Sequence, residues 1–312
     1  EYAAKALGLD NREVLTSSTG IIGRALPIGK IASAMPLLVN GLSARSGPAF
    51  SESILTTDTV KKELAVKIYL AGAVVTIGGS CKGVGMIYPE MMVEKHATML
   101  CFIATDAVVS KKMLGQALAE AVAGSFNMIS VDGDMSTNDS CFILANGLAG
   151  NRRISARNGG YKKFSEALRF LTRELAGMIV RDGEGATKFV EIEVCGAKNV
   201  KDARTAARKI STSNLLKCCV YGQDPNWGRI VAACGASGID FEPDRVDVYL
   251  GGVKALSDGA ISPDFDKDKA AKHFKEKEIK IKVDLKSGSS RAVAWTCDFS
   301  KEYVAINSEY SS

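Results

Sequence analysis

Between Tyr161 and Arg181 the apolar residues Phe164, Leu168, Leu171, Leu175 and Ile179 follow one another at spacings of 4, 3, 4 and 4. That spacing lays one apolar face along an α-helix. The run ends at Asp182-Gly183-Glu184-Gly185, a natural stop. Other segments carry the period of strands. Ile279, Ile281, Val283 and Leu285 alternate with Lys280, Lys282 and Asp284, Val246, Val248 and Leu250 do the same, and so does Lys188–Cys195. Ala65–Ile77 is apolar and β-branched and reads as two strands with Gly72 near their turn. The chain is therefore mixed α/β, without regular βαβ repetition and without an internal repeat of fixed period.

Further helices are expected over Glu1–Leu9, over Lys30–Leu42 in spite of Pro36, and over Lys111–Gly124 behind Asp106 or Ser110 as cap. Two more are expected over Cys141–Gly147 behind Asp139 and over Val200–Asn214. Arg291–Phe299 reads as the strand that pairs with Ile279–Leu285. A chain of 312 residues makes one large domain or two ordinary ones. At 46% hydrophobic and 24% charged it can bury a sizeable core, which excludes a disordered chain, a collagen and a coiled coil. No apolar run has the length of a membrane span; Ala71–Ile77 is core-strand length. The opening Glu1-Tyr2-Ala3-Ala4 has neither an initiator Met nor a signal peptide, so an N-terminal part is expected to be missing.

Lys and Arg total 40 against 35 Asp and Glu, a net charge of +5. The charges are interspersed, with one denser patch at Asp264–Lys282. That is a solvated surface rather than the clustered basic face of a nucleic-acid binder. Eight cysteines without a CxxC pair exclude zinc-ribbon spacing and read as reduced, mostly buried thiols. A cytoplasmic location follows, or an organelle if the source is eukaryotic. His96 and His273 are the two histidines, so a His-rich metal site is excluded and a Ser-His-Asp triad has few candidates for its base.

Four segments could carry chemistry, and each also has a plain structural reading. Gly78–Gly85 lacks the third Gly of a dinucleotide loop, and Lys82 precedes Gly83 where a phosphate loop has Lys after Gly. A flexible turn holding Lys82 is the better reading. Val131–Asp139 has three Asp and an Asn in nine residues, enough for Ca²⁺. Counting from Asp132, however, the twelfth position is Ile143, and a turn whose side chains bond its own backbone serves equally. Arg181–Lys188 presents Glu184 between two glycines, for a ligand amine or as a helix-to-strand turn. His96–Leu100 precedes an apolar run, where Thr98 is an ordinary β-former.

Taken in order, these segments resemble the ornithine acetyltransferase family, the glutamate N-acetyltransferases of arginine biosynthesis. The matching stretches are Ser18-Thr19-Gly20-Ile21-Ile22-Gly23, Leu55-Thr56-Thr57-Asp58, Lys82-Gly83-Val84-Gly85-Met86-Ile87 and Ala97-Thr98-Met99-Leu100. They continue with Val131-Asp132-Gly133-Asp134, Ser136-Thr137-Asn138-Asp139, Asp182–Lys188, Tyr221–Asp224, Asn226–Arg229, Trp295–Asp298 and Ile306-Asn307. One stretch would be weak; the ordered series through nearly the whole chain is specific.

The resemblance implies a four-layer α/β/β/α sandwich of the N-terminal-nucleophile-like type. An N-terminal domain over residues 1–195 would contain the cleavage site, and a C-terminal α/β domain would cover 196–312. It implies a precursor that cuts itself at Ala97–Thr98 and uses Thr98 as nucleophile, activated by its own freed α-amine. Thr19 and Gly20 match the oxyanion hole. Thr56, Lys82, Thr98, Glu184, Asn307 and the terminal Ser312 match substrate-binding positions. By charge, Lys82 suits a substrate carboxylate and Glu184 the α-amine of ornithine. The acetyl group of N-acetylornithine would pass through acetyl-Thr98 to glutamate, with no cofactor and no metal. Whether acetyl-CoA also serves as a co-substrate stays open. The protein would assemble as two α and two β chains, with no nucleic-acid or membrane partner.

Compared with the family, the link from Pro89 to Ala97 is several residues longer and Val84 stands where Ser is usual. Slower self-cleavage is expected from the longer link. The alternatives are an amidase or aminopeptidase of the same nucleophile class with water as acceptor, and an uncleaved, inactive homologue. The C-terminal residues are expected to form an ordered segment, because they contribute to the site.

Overall fold

Two mixed β-sheets, each with helices packed on it, make up the frame. The computed structural model of the chain describes residues 1–70, 72–91 and 99–309. In chain order its elements begin with α1 (Tyr2–Leu7), α2 (Ile28–Asn40), α3 (Gly47–Ser53), β1 (Lys62–Leu70), β2 (Ala73–Lys82), β3 (Leu100–Thr105) and α4 (Lys111–Ala123). The middle of the chain forms β4 (Ile129–Ser130), β5 (Ser140–Ala145), α5 (Gly159–Arg181), β6 (Phe189–Ala197), α6 (Val200–Ser211), α7 (Asn214–Tyr221) and α8 (Trp227–Gly235). Last come β7 (Asp247–Leu250), β8 (Val253–Ser257), β9 (Ala260–Ile261), α9 (Lys267–Phe274), β10 (Glu278–Asp284), β11 (Ser290–Cys297) and α10 (Lys301–Glu309).

The first sheet has the order β1-β2-β3-β5. Its first three strands run antiparallel and β5 joins β3 in parallel. The second has the order β4-β11-β6-β10-β7-β8-β9, with β6 parallel to β10 and β4 parallel to β11. The apolar face of the 161–181 helix is fully buried at Phe164, Leu168, Leu171, Leu175 and Ile179. It lies on β1 and β2. Side-chain caps set two of the helix starts, and the one at Ser110 was expected. Ser110 accepts from the Met113 N–H at the start of α4, and Asn158 from Tyr161 at the start of α5. A single helix over Val200–Asn214 is not formed. Ser213 accepts the Leu216 N–H and opens a second helix, so α6 stops at Ser211.

Three expectations are corrected. Gly78–Lys82 is not a flexible turn but the second half of β2, paired with β1 and β3. Its glycines belong to packing: a Cβ on Gly79 would stand 3.1 Å from both Leu171 and Leu175, so the missing side chain is what lets α5 settle on the strand. Cys141–Gly147 is not a helix. Ser140–Ala145 is a strand in register with Leu100–Thr105, a case in which a short apolar run has no period of its own to separate the two states. Arg291–Phe299 does contain a strand, but β11 pairs with β6 and β4, and β6 stands between it and β10. Nothing local in the sequence encodes that order, because β6 lies far along the chain from the two strands it joins.

Five of the eight cysteines are buried, Cys141 and Cys195 are half-buried, Cys218 is exposed, and all are free. Burial pushes the thiols of Cys195, Cys219 and Cys234 up to about 11, which makes them poor nucleophiles. Among the described residues no helix is long and apolar enough to cross a membrane.

Candidate active site

The site forms where β2 ends, where α5 ends and where the Thr56–Thr59 turn passes between them. Lys82 is the last residue of β2 and is only 2% exposed. Its ammonium donates to the Thr19 hydroxyl at 3.3 Å. Burial lowers its pKa, and the charges of Asp58 and Asp139 oppose that. A buried lysine whose described side-chain hydrogen bond goes to a neutral hydroxyl can still take a ligand anion. Thr19 lies in the loop that Asn138 fastens by donating to the Ser18 carbonyl, and Gly20 follows it at the surface.

Glu184 sits three residues past the end of α5. Both carboxylate oxygens are held: Thr57 donates its hydroxyl to Oε1 at 3.2 Å, and Asn307 of α10 donates Nδ2 to Oε2 at 3.1 Å. The Glu184 N–H donates to the Val84 carbonyl at 2.9 Å, which ties the α5 terminus to the segment just after Lys82. Gly85 leaves room for the Glu184 carboxylate where it stands, since a Cβ there would lie 2.4 Å from Glu184 Oε2. Gly185 has φ +66 and lies against the Tyr303 backbone, so the turn brings α10 beside Glu184. The expected ordered C-terminal segment is α10, as far as Glu309.

Thr56, Thr19, Lys82, Glu184 and Asn307 thus gather at one loop cluster. Thr56 joins through its backbone, its N–H donating to Asp58 Oδ2 at 3.3 Å. Thr98, Ala97 and Ser312, and the link residues Met92–His96, lie outside the described residues.

Four acidic or basic residues of the cluster had no place among the expected site residues, although Asp139 was read as a helix cap. Asp58 and Lys62 have side chains with no exposure at all, and Asp182 joins them. Burial works against the charge of Asp58, but the Gly83 N–H and Lys62 hold its carboxyl below the usual carboxylate value. The fourth is Asp139, 1% exposed. Its Oδ1 accepts the Met99 N–H, immediately after Thr98 in the chain, and its Oδ2 has no hydrogen-bond partner among the described residues. It does not cap a helix. Burial pushes it up to about 7, against the pull of the Met99 N–H and Lys82.

Asp139 therefore prefers the neutral form in the folded protein. The stability linked to it is fully present below the usual carboxylate value of 3.8 and is lost as pH rises through about 7. A displacement of that size is worth on the order of 4 kcal/mol at most. Asp139→Asn keeps an acceptor for Met99 and cannot ionise. Its melting temperature is expected to fall less than that of the unmodified protein between pH 4 and pH 8. Identical slopes would show that Asp139 ionises freely.

The Val131–Asp139 loop uses its carboxylates on backbone. Asp132 accepts the N–H groups of Met86 at 2.6 Å, Ile87 at 3.0 Å and Asp134 at 3.2 Å. That is the turn reading, extended to clasp the segment after Lys82. Among the described residues no group of three or more His, Cys, Asp or Glu could hold a metal ion.

Two mixed sheets that bring a buried cation and a doubly held carboxylate to one loop cluster define a mixed α/β protein with a candidate site at that cluster. The chain belongs to the ArgJ family, whose model matches residues 1–312. It is 46% identical over 308 residues to the arginine biosynthesis bifunctional protein ArgJ of Symbiobacterium thermophilum, covering 99% of this chain and 75% of that protein. It is also 46% identical over 317 residues to the glutamate N-acetyltransferase of Methanocaldococcus jannaschii, covering 99% and 77%. A crystal structure of arginine biosynthesis bifunctional protein ArgJ from Bacillus halodurans is similar with a TM-score of 0.64 at 39% identity. That match covers 66% of this chain and 96% of the other.

Proposed function

We propose that this protein is a glutamate N-acetyltransferase of arginine biosynthesis, moving the acetyl group of N-acetylornithine to glutamate by way of acetyl-Thr98. The observation that carries the reading is the pairing of anchors. Lys82 is a buried cation for a substrate carboxylate, and Glu184, its two oxygens held by Thr57 and Asn307, is an anion for the α-amine. Glutamate and ornithine carry these two charges, and the acetylated α-nitrogen of N-acetylornithine still offers an N–H to Glu184, so one site serves donor and acceptor in turn.

The nucleophile is a threonine freed by cleavage of Ala97–Thr98. A Thr hydroxyl is a weak nucleophile near neutrality, and a freed α-amine with a pKa of about 7.7–8.0 can accept its proton. The hydroxyl attacks the acetyl carbonyl of N-acetylornithine and ornithine leaves. Glutamate then attacks the acetyl ester and releases Thr98. Thr19 and Gly20 donate hydrogen bonds to each tetrahedral oxyanion, worth about 3–4 kcal/mol for one well-placed donor. Thr56, Asn307 and Ser312 complete the substrate contacts.

The same proposal takes in the α/β/β/α layering, the division into 1–195 and 196–312, and an assembly of two α and two β chains. Two mixed sheets bearing helices support the layering. β6 runs across the division, so the two parts share a strand. A reducing compartment fits the eight free thiols.

Ornithine release from N-acetylornithine, measured with and without glutamate, tests the function. Transfer predicts N-acetylglutamate in step with ornithine and a dependence on glutamate. Ornithine and acetate at the same rate without glutamate would make the protein an amidase. Replacing N-acetylornithine by acetyl-CoA in a parallel assay shows whether a second donor is used.

A further inference from the structure

Three consecutive residues, Asn138, Asp139 and Ser140, take hold of two separate parts of the chain. Asn138 donates its Nδ2 to the Ser18 carbonyl, and the buried Ser136 hydroxyl donates to its Oδ1 at 3.1 Å, so the amide is held at both ends and faces one way. Asp139 accepts the Met99 N–H, and the Ser140 N–H donates to the Met99 carbonyl at 2.7 Å. Both backbone groups of Met99, itself fully buried, are thereby occupied. Ser140 opens β5, whose parallel pairing with β3 begins at Leu100. The two grips on Met99 carry that pairing one residue back along the chain.

A peptide bond is planar, so holding one end of it orients the other. The Ser18 carbonyl lies in the same plane as the Thr19 N–H, at the entry to Thr19-Gly20. The Met99 nitrogen is bonded directly to Thr98. Among the described residues, residues 15–20 have two hydrogen bonds to the rest of the protein, from Lys82 to the Thr19 hydroxyl and from Asn138 to the Ser18 carbonyl. The Asn138 bond is the one that acts on the backbone. Asn138 and Asp139 are neighbours, with Cα atoms about 3.8 Å apart. The loop that offers the oxyanion donors and the residue after the nucleophile are therefore tied to one short stretch of chain.

We propose that Asn138 and Asp139 are positioning residues for acetyl transfer, holding the oxyanion loop and the nucleophile's chain in register with each other. The proposal rests on Thr98 being the nucleophile and on Thr19 and Gly20 being the oxyanion donors. Neither side chain has to touch the substrate. What they set is the placing of the donors against the attacking oxygen, and a misplacement of about 1 Å there costs on the order of a hundredfold in rate. Substrate binding is spared when Asn138 is changed, because Lys82 sits on β2 and Glu184 is held by Thr57 and Asn307, none of which bonds to Asn138.

The test measures kcat and KM for N-acetylornithine, with glutamate saturating, on purified cleaved protein. Asn138→Leu removes the amide at similar volume. Its kcat is expected to fall about tenfold to a hundredfold while KM stays within about threefold. Asp139→Asn, which keeps an acceptor for Met99, is expected to retain about tenfold more kcat than Asp139→Leu, which has none. A purely structural role lowers the melting temperature and the folded fraction but not the kcat of the folded protein. A folded Asn138→Leu variant with kcat within about twofold of the unmodified protein overturns the proposal, and so does a change confined to KM. Equal kcat in the two Asp139 variants overturns the part given to Asp139. A folded variant that stays uncut at Ala97–Thr98 counts as a fall, since the same hydroxyl makes both attacks. If Asn138→Leu does not fold, Asn138→Ala is read by the same two constants. Failure of the unmodified protein to transfer acetyl from N-acetylornithine would instead count against the acetyltransferase reading itself.

Discussion

Replacing Thr98 by alanine is expected to abolish both self-cleavage and acetyl transfer. The same hydroxyl is used twice, first on its own peptide bond and then on N-acetylornithine, so one oxygen atom carries both reactions. Removing a nucleophile that works as part of a unit costs on the order of a millionfold in rate. The alanine variant should run as one band on a denaturing gel and should release no ornithine above background. Thr98→Ser keeps the hydroxyl and, once cut, the α-amine, and should retain part of each reaction. An alanine variant that still splits at Ala97–Thr98 would mean that another group makes the attack.

The second large effect is expected at Gly85. A Cβ at this position would stand 2.4 Å from Glu184 Oε2 and 2.7 Å from Oε1, so the carboxylate of a Gly85→Ala variant must move. It can do so because it is the end of a flexible, half-buried side chain, but moving breaks the bonds from Thr57 and Asn307. Gly85→Ala should therefore fold and melt within about 1 kcal/mol of the parent. Its KM for N-acetylornithine should rise about 10–150-fold, the equivalent of losing a charged hydrogen bond of about 1.5–3 kcal/mol. Glu184→Gln removes the charge without the displacement and should shift KM in the same direction while leaving self-cleavage largely intact. If Glu184→Gln blocks cleavage and leaves transfer by the cleaved protein untouched, Glu184 serves the cutting step and not the substrate amine.

The periodic parts of the fold were legible in the sequence. The stripe from Phe164 to Ile179 made a helix because a 3.6-residue period leaves one solution, and the β10 alternation made a strand for the same reason. Segments without a period misled. The glycines of β2 look like a loop until Leu171 and Leu175 are seen filling the space that side chains would need. Ser140–Ala145 is a strand only because the edge of β3 is open to it. The place of β6 between β10 and β11 depends on contacts about a hundred residues apart.

For the site, residue type alone left Glu184 undecided between chemistry and turn and put Lys82 in a flexible turn, and the ordered motifs made the difference. Lys62, Asp58, Asp182 and Asp139 were missed because charged residues beside polar turns ordinarily point to water. A lysine opening an apolar strand, with an acid four residues before it, was the available signal for Lys62. For Asp139 it was an acid directly before an apolar run, which can mean burial as readily as a helix cap.

The central claim is that Thr98 becomes a chain start in the active protein. The most direct measurement is N-terminal sequencing together with the intact mass of a preparation that transfers acetyl from N-acetylornithine to glutamate. Two chains are predicted, one ending at Ala97 and one beginning at Thr98. A single uncut chain beginning at Glu1, in a preparation with full transfer activity, would contradict the account.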